Sequence, residues 1–165
     1  MDDALQTILD LMKASINSVT AGTIKTFYKG KVNPDVVPQD YMRALMVYGN
    51  STSVVALSTC KDQYKYDITI KLVDNLKNYL STSGVTETIK HQEAMYNLVE
   101  KRETTGVLKA DTVMGILRAN IRTDEFLFNN DITADYTIVP SESGSFWRLE
   151  CDINLTATTD ILSRP

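Results

Sequence analysis

Gln63-Tyr64-Lys65-Tyr66-Asp67-Ile68-Thr69-Ile70-Lys71-Leu72-Val73-Asp74 is the most regular stretch of this 165-residue chain. Tyr64, Tyr66, Ile68, Ile70 and Leu72 fall on one side of it, and Lys65, Asp67, Thr69 and Lys71 on the other. Side chains alternate across a strand, so the period of two predicts one apolar face and one wet face. The aromatic and β-branched content suits a strand, whereas a helix would scatter these residues around its axis. A long, central antiparallel strand follows, with an apolar face that needs a cover.

Two segments offer that cover. Asp2–Ser18 carries Ala4, Leu5, Ile8, Leu9, Leu11, Met12 and Ile16 at three- and four-residue steps, an amphipathic helix with Asp2 and Asp3 at its dipole-positive end. Thr86–Arg102 is a second helix, with Ile89, Met95, Tyr96, Leu98 and Val99 as its apolar stripe and Gly106 beyond its end. Asp111 can cap a short helix over 112–119, which Gly115 weakens.

The other strands are read in the same way. Thr23–Gly30 is a first strand, and Gly30–Gln39, with Pro34 and Pro38, is a loop. Tyr41–Tyr48 is a compact buried strand. Asn50–Asp62 is a Ser/Thr-rich arm or irregular edge strand, closed by a Lys61-Asp62 turn. Residues 122–130 show no pattern. Ile132, Ala134, Tyr136 and Ile138 alternate with polar residues, as do Trp147, Leu149, Cys151, Ile153, Leu155 and Ala157. With the Pro140–Gly144 loop between them, these make a C-terminal β-hairpin. The fold class is α+β: one domain over residues 1–165, a mostly antiparallel sheet with two main helices packed on one face.

Composition excludes several functions. The chain is 43% hydrophobic and 23% charged, with a net charge of -4. An acidic balance without a Lys/Arg cluster argues against non-specific nucleic-acid binding, and no specific nucleic-acid partner is expected. No apolar run is long enough to span a bilayer, and Met1-Asp2-Asp3 does not open a signal peptide. Cys60 and Cys151 form no CxxC pair and are expected as free thiols; a disulfide between them would need neighbouring strands.

No catalytic motif stands out: there is no GxSxG, Walker A or GxGxxG, and no metal or cofactor site is expected. The single histidine, His91, reads as a surface residue, since one His without Cys or further His partners cannot build a metal site of the usual spacing. Glu150 and Asp152 share one strand face at about 7 Å, a spacing that carboxylate chemistry could use, but they read as part of a solvated face. Tyr64, Tyr66 and Trp147 read as core residues and not as base-stacking platforms. A domain of this kind works through surfaces and edges.

The order of elements resembles that of phage tail terminator proteins, also called tail completion or head–tail joining proteins. It runs from the Leu5–Ile16 helix through the Tyr41–Tyr48 strand and a Ser/Thr-containing link to the Tyr64–Val73 strand, then to the Thr86–Arg102 helix and a closing hairpin ending in Trp147–Thr156. The resemblance covers most of the chain and rests on this order, not on an invariant motif. Its loops at Gly30–Gln39 and Thr104–Asn130 are longer than those of the most compact members. The resemblance implies a virion structural protein and not an enzyme. It would form a homo-oligomeric ring, a hexamer, at the head-proximal end of the tail, assembled in the host cytoplasm. Its partners would be the tail tube protein and the head connector or neck protein, with no membrane and no cofactor. Ser51, Ser53, Lys61 and Asp62 of the arm and Glu142 and Ser143 of the hairpin loop are then the expected ring or tube contacts. Another tail, neck or baseplate protein, or a small-ligand-binding or enzymatic α+β domain, remains the alternative.

Overall fold

The computed structural model describes residues 2–19, 24–58, 61–76, 79, 84–122, 126–129, 131–144, 146–159 and 162–163. Among these residues three helices, α1 (Asp2–Val19), α2 (Gly84–Glu100) and α3 (Val113–Ala119), accompany seven strands. The strands are β1 (Thr26–Lys29), β2 (Ala44–Ser58), β3 (Lys61–Leu76), β4 (Phe126–Phe128), β5 (Thr133–Pro140), β6 (Trp147–Thr159) and β7 (Leu162–Ser163). They form one α+β sheet in the order β1-β2-β3-β6-β4, with β5 also on the outer side of β6 and β7 on β3. Every pairing is antiparallel except β1 with β2.

The quoted stretch lies within β3, which is central: β2 pairs with one edge over Lys61–Val73 and β6 with the other over Lys65–Leu76. Ile70 stands between Val47 and Ile153, and Leu72 between Leu45 and Cys151. All six belong to one buried cluster that also contains Leu5, Ile8 and Met12 of α1, Met95 and Val99 of α2, and Ile116 and Leu117 of α3. Ile68, Ile70, Leu72 and Leu76 are at most 1% exposed. Each such side chain contributes roughly 1.5–3 kcal/mol by leaving water, which makes this face the main source of stability.

The second face of β3 is not the wet face its residue types predict. Thr69 and Val73 are buried, and Lys71 is only half-buried. Val37 and Met42, from the segment between β1 and β2, cover Ala44, Met46, Tyr48 and Val73 in a second apolar cluster. The Gly30–Gln39 segment read as loop contains a 3-10 turn at Pro34–Val36, with another following at Gln39–Tyr41. In the first, Asn33 accepts a hydrogen bond from the Asp35 N–H and holds the turn over the sheet.

The Asn50–Asp62 segment, read as an irregular arm closed by a Lys61-Asp62 turn, instead belongs to two long strands. β2 continues unbroken to Ser58, and Lys61 and Asp62 already pair within β3. The register shifts between Gly49 and Ser51, and again near the strand end between Ala56 and Ser58. Before the first bulge the odd-numbered Leu45 and Val47 face the main core; after it the even-numbered Thr52 and Val54 stand beside Tyr66 and Tyr64. One extra residue inverts the alternation, which splits one strand into two apparent ones.

Helix details also differ. α2 buries Thr88, Met95, Leu98 and Val99, whereas Ile89 and Tyr96, expected in its stripe, are 49% and 44% exposed. The apolar arc of α2 is wider than the strip that meets the core. α3 is capped by Thr112 and not by Asp111: the Thr112 hydroxyl accepts from Gly115 N–H. Gly115 is needed there, because a Cβ would lie 2.0 Å from the Lys109 carbonyl oxygen. Residues 122–130, which showed no pattern, hold β4, whose Phe126 and Phe128 are buried.

Candidate functional site

The arm is the far half of β2 with the β3 residues it pairs with; across its other edge β3 stays paired, Lys65–Ile68 with β6 and Lys61–Asp62 with β7, so the open side of the arm is β2. Every residue of β2 from Asn50 to Ser58 is exposed. Three of them are large and apolar: Val54 is 53%, Val55 43% and Leu57 46% exposed. Aromatic packing anchors the arm where it meets the core. There Tyr64 and Tyr66 stack with ring centroids 6.5 Å apart, and Tyr66 meets Phe126 edge-on at 6.2 Å. Ser51 Oγ donates to Asp67 Oδ2 at 2.5 Å, and Thr156 Oγ1 donates to the other Asp67 oxygen at 3.2 Å. The hydrogen bond from Ser51 is the main reason the Asp67 carboxyl titrates below its usual value.

The six expected contact residues fall into two groups. Ser51, Ser53, Lys61 and Asp62 are on the arm, with Ser53 opposite Lys65 and Asp62 opposite Ala56. Glu142 and Ser143 are exposed in the β5–β6 turn. That turn adjoins the Trp147–Leu76 pair at one end of β3, and Lys61 is at the other. At about 3.3 Å per residue, and with Ser51 opposite Asp67, the groups are roughly 30–50 Å apart along the strand, so the structure does not bring them together. The turn is tied down: Glu142 N–H donates to Asp35 Oδ1 at 3.2 Å, and the Ser141 and Ser143 hydroxyls lie 3.2 Å apart.

Two charged clusters emerge that residue types alone did not reveal. On the second face, Glu150 and Asp152, expected on a solvated face, are bound by cations. Lys71 Nζ lies 2.7 Å from Glu150 and 3.0 Å from Asp152. Arg148 contacts Glu150 at 3.2 Å and Asp35 at 2.5 Å, its side chain only 8% exposed. Burial lowers the affinity of Lys71 for its proton, but the hydrogen bonds and charges of Glu150 and Asp152 outweigh it and raise its pKa overall. The available signal was register: placing β3 against β6 sets Lys71 opposite Asp152, a cross-strand pair of opposite charge.

On the helix side, His91 is not a free surface residue. Its Nδ1 lies 2.8 Å from Asp74 Oδ2, which also accepts from Arg43 Nε at 3.2 Å and Nη2 at 2.6 Å. The carboxylate only accepts, so Nδ1 carries the proton. Lys25, Gln39, Met42, Asn75 and Glu87 complete the lining of a cavity of about 230 Å³ beside this cluster. That lining offers no Ser, Thr or Cys nucleophile to an Asp–His pair, and the pair's visible work is to pin α2 to the end of β3. Among the described residues no group of three His, Cys, Asp or Glu side chains could hold a metal ion. Among the same residues no helix is long and apolar enough to cross a membrane.

A third feature adjoins α2. Gln92, Tyr96, Tyr136, Thr137, Ile138 and Leu149 line an open, mainly apolar groove of about 310 Å³ between α2 and β5. Tyr136 Oη donates to Glu100 at 2.6 Å, and burial together with that carboxylate pushes the phenol far above its normal range. Cys151, a free and buried thiol, is pushed up to about 12, mainly by burial. Cys60, considered as its disulfide partner, lies outside the described residues. No protein-family model matches the chain, and comparison with curated proteins finds none similar to it.

Proposed function

We propose that this chain is a virion structural protein: a phage tail terminator or completion subunit. It closes into a hexameric ring at the head-proximal end of the tail, ends growth of the tube, and offers the head connector a docking surface. On this reading α1 and α2 form a layer on one face of the sheet, and the arm reaches toward a neighbouring subunit or the tube. The observation that carries the proposal is the arm itself. Nine consecutive residues of β2 are exposed, include Val54, Val55 and Leu57, and bear no charge. Natural sheet edges are normally guarded by charge or proline, so an unguarded one is an interface awaiting a partner. The wide separation of arm and β5–β6 turn suits a subunit with different neighbours at its two ends.

The groove between α2 and β5 favours a second reading, a module for a small apolar ligand. Native mass spectrometry and negative-stain imaging of the purified chain, with immunogold labelling of particles from the source lysate, test the proposal. Six-fold rings and label at the head–tail junction are expected. Label along the tail or at its tip would replace the terminator with a tube or baseplate protein. A monomer with no label on any particle would overturn the virion reading.

A further inference from the structure

We infer that the outer edge of the arm, Ser51–Leu57, pairs as an added strand with the outer edge of β5, Thr133–Pro140, of a second copy. The inference rests on the self-association proposed above and names its interface.

Both edges lack a partner strand among the described residues. β1 pairs with β2 only over Ala44–Val47, leaving the rest of that edge open, and β5 pairs only with β6. The two edges lie on opposite sides of one sheet, so joining them is heterologous, the kind of contact that builds a ring. β5 is eight residues long, close to the length of the arm's exposed run. Three antiparallel steps, β2 to β3, β3 to β6 and β6 to β5, make β2 and β5 run in opposite directions. A ring rotation between neighbours keeps the general sense of those directions even when the strands are tilted to its axis. The arm therefore meets the next β5 antiparallel.

The side chains match. On the core-side face the arm offers Thr52 and Val54, and β5 offers Ala134, Tyr136 and Ile138. Aromatic against β-branched pairs are favourable across strands. Tyr136 and Ile138 line the groove beside α2, which is open to receive an arm side chain such as Val54. On the opposite face Lys65, beside Ser53, carries the charge complementary to Asp135. The levels of the two edges also make a geometric demand. Through Cys151 and Leu72, Tyr136 lies level with Leu45, well short of the arm. Neighbouring copies must therefore be staggered along the strands by roughly 25–30 Å, which in a closed ring means strongly tilted strands.

Disulfide trapping tests this in the full chain with Cys60 replaced by Ser. Val54→Cys is mixed in turn with Ala134→Cys, Tyr136→Cys and Ile138→Cys, and each variant is checked by circular dichroism and native mass spectrometry. The expected result is a cross-linked dimer in at least one mixture and in neither variant alone. A Val54→Cys homodimer would overturn the inference in favour of two arms pairing across a two-fold axis. Oligomers that cross-link in no mixture would overturn this interface while leaving self-association intact. A chain that stays monomeric without cross-links would overturn both.

Discussion

Arg148 on β6 and Asp35 in the 3-10 turn after β1 are 113 positions apart in sequence and form an ion pair at 2.5 Å. This contact fastens the segment between β1 and β2 onto the second face of the sheet. It is costly to break from one side: Asp35 Oδ2 is buried with no hydrogen-bond partner, and Glu150 also leans on Arg148. Arg148→Ala is expected to lower stability by about 3 kcal/mol, because it leaves Asp35 in a poorly solvated place without its cation, while Glu150 keeps Lys71. Urea unfolding followed by tryptophan fluorescence measures this. A loss below about 0.5 kcal/mol would mean that the pair is solvent-screened and that Val37 and Met42 hold the segment alone.

Gly115→Ala would insert a methyl group 2.0 Å from the Lys109 carbonyl oxygen. A backbone atom cannot swing aside as a side chain can, so the turn leading into α3 must shift. A destabilisation of about 1–3 kcal/mol is expected, against the gain of up to about 1 kcal/mol that Ala brings in an unobstructed helix. Thermal unfolding of the variant gives the sign. A raised Tm would show that the 109–112 turn is loosely held.

Acid should loosen the root of the arm through Asp67. Its pKa is lowered in the folded state, chiefly by the Ser51 hydroxyl. A lowered carboxyl contributes stability above its unfolded value, about 4, and loses it as the pH falls through the folded value. Ser51→Ala should therefore be less stable than the parent at pH 7, and the difference should shrink on acidification. Carboxyl-carbon NMR should show the Asp67 midpoint moving up in Ser51→Ala; an unmoved midpoint would assign the shift to Thr156.

Exchange of charge at the end of the arm separates folding from assembly. Lys61 is exposed and Asp62 is half-buried at the arm end of β3. The double variant Lys61→Asp, Asp62→Lys should unfold within about 1 kcal/mol of the parent, as surface changes do, and yet fail to form rings. Sedimentation velocity alongside chemical denaturation reads both. Normal assembly would remove these two side chains from the interface.

Period-two alternation was enough to name the central strand and its apolar face from residues 64–72, and the C-terminal hairpin from residues 132–138 and 147–157. Burial then confirmed Ile68, Ile70, Leu72, Cys151 and Ile153. Alternation is a local property, because each strand residue's face is set by its neighbour's. The amphipathic stripe of α1 was legible for the same reason, and Ala4, Leu5, Ile8, Leu9 and Met12 are buried as their spacing requires.

Tertiary structure decided what local periodicity cannot encode. The bulge at Asn50 is one extra residue, and only the facing strand shows that β2 runs straight through it. Arg148 and Glu150 alternate like solvated residues, but a segment more than a hundred positions away covers their end of the sheet. His91 has no partner near it in sequence; its partner Asp74 comes from the end of β3. Candidate contact residues were legible as polar projections, but their division between two ends of one sheet depends on which strand pairs with which. Side-chain alternation is written residue by residue, whereas pairing and cover depend on distant segments meeting, and that is settled only when the whole chain buries its apolar surface at once.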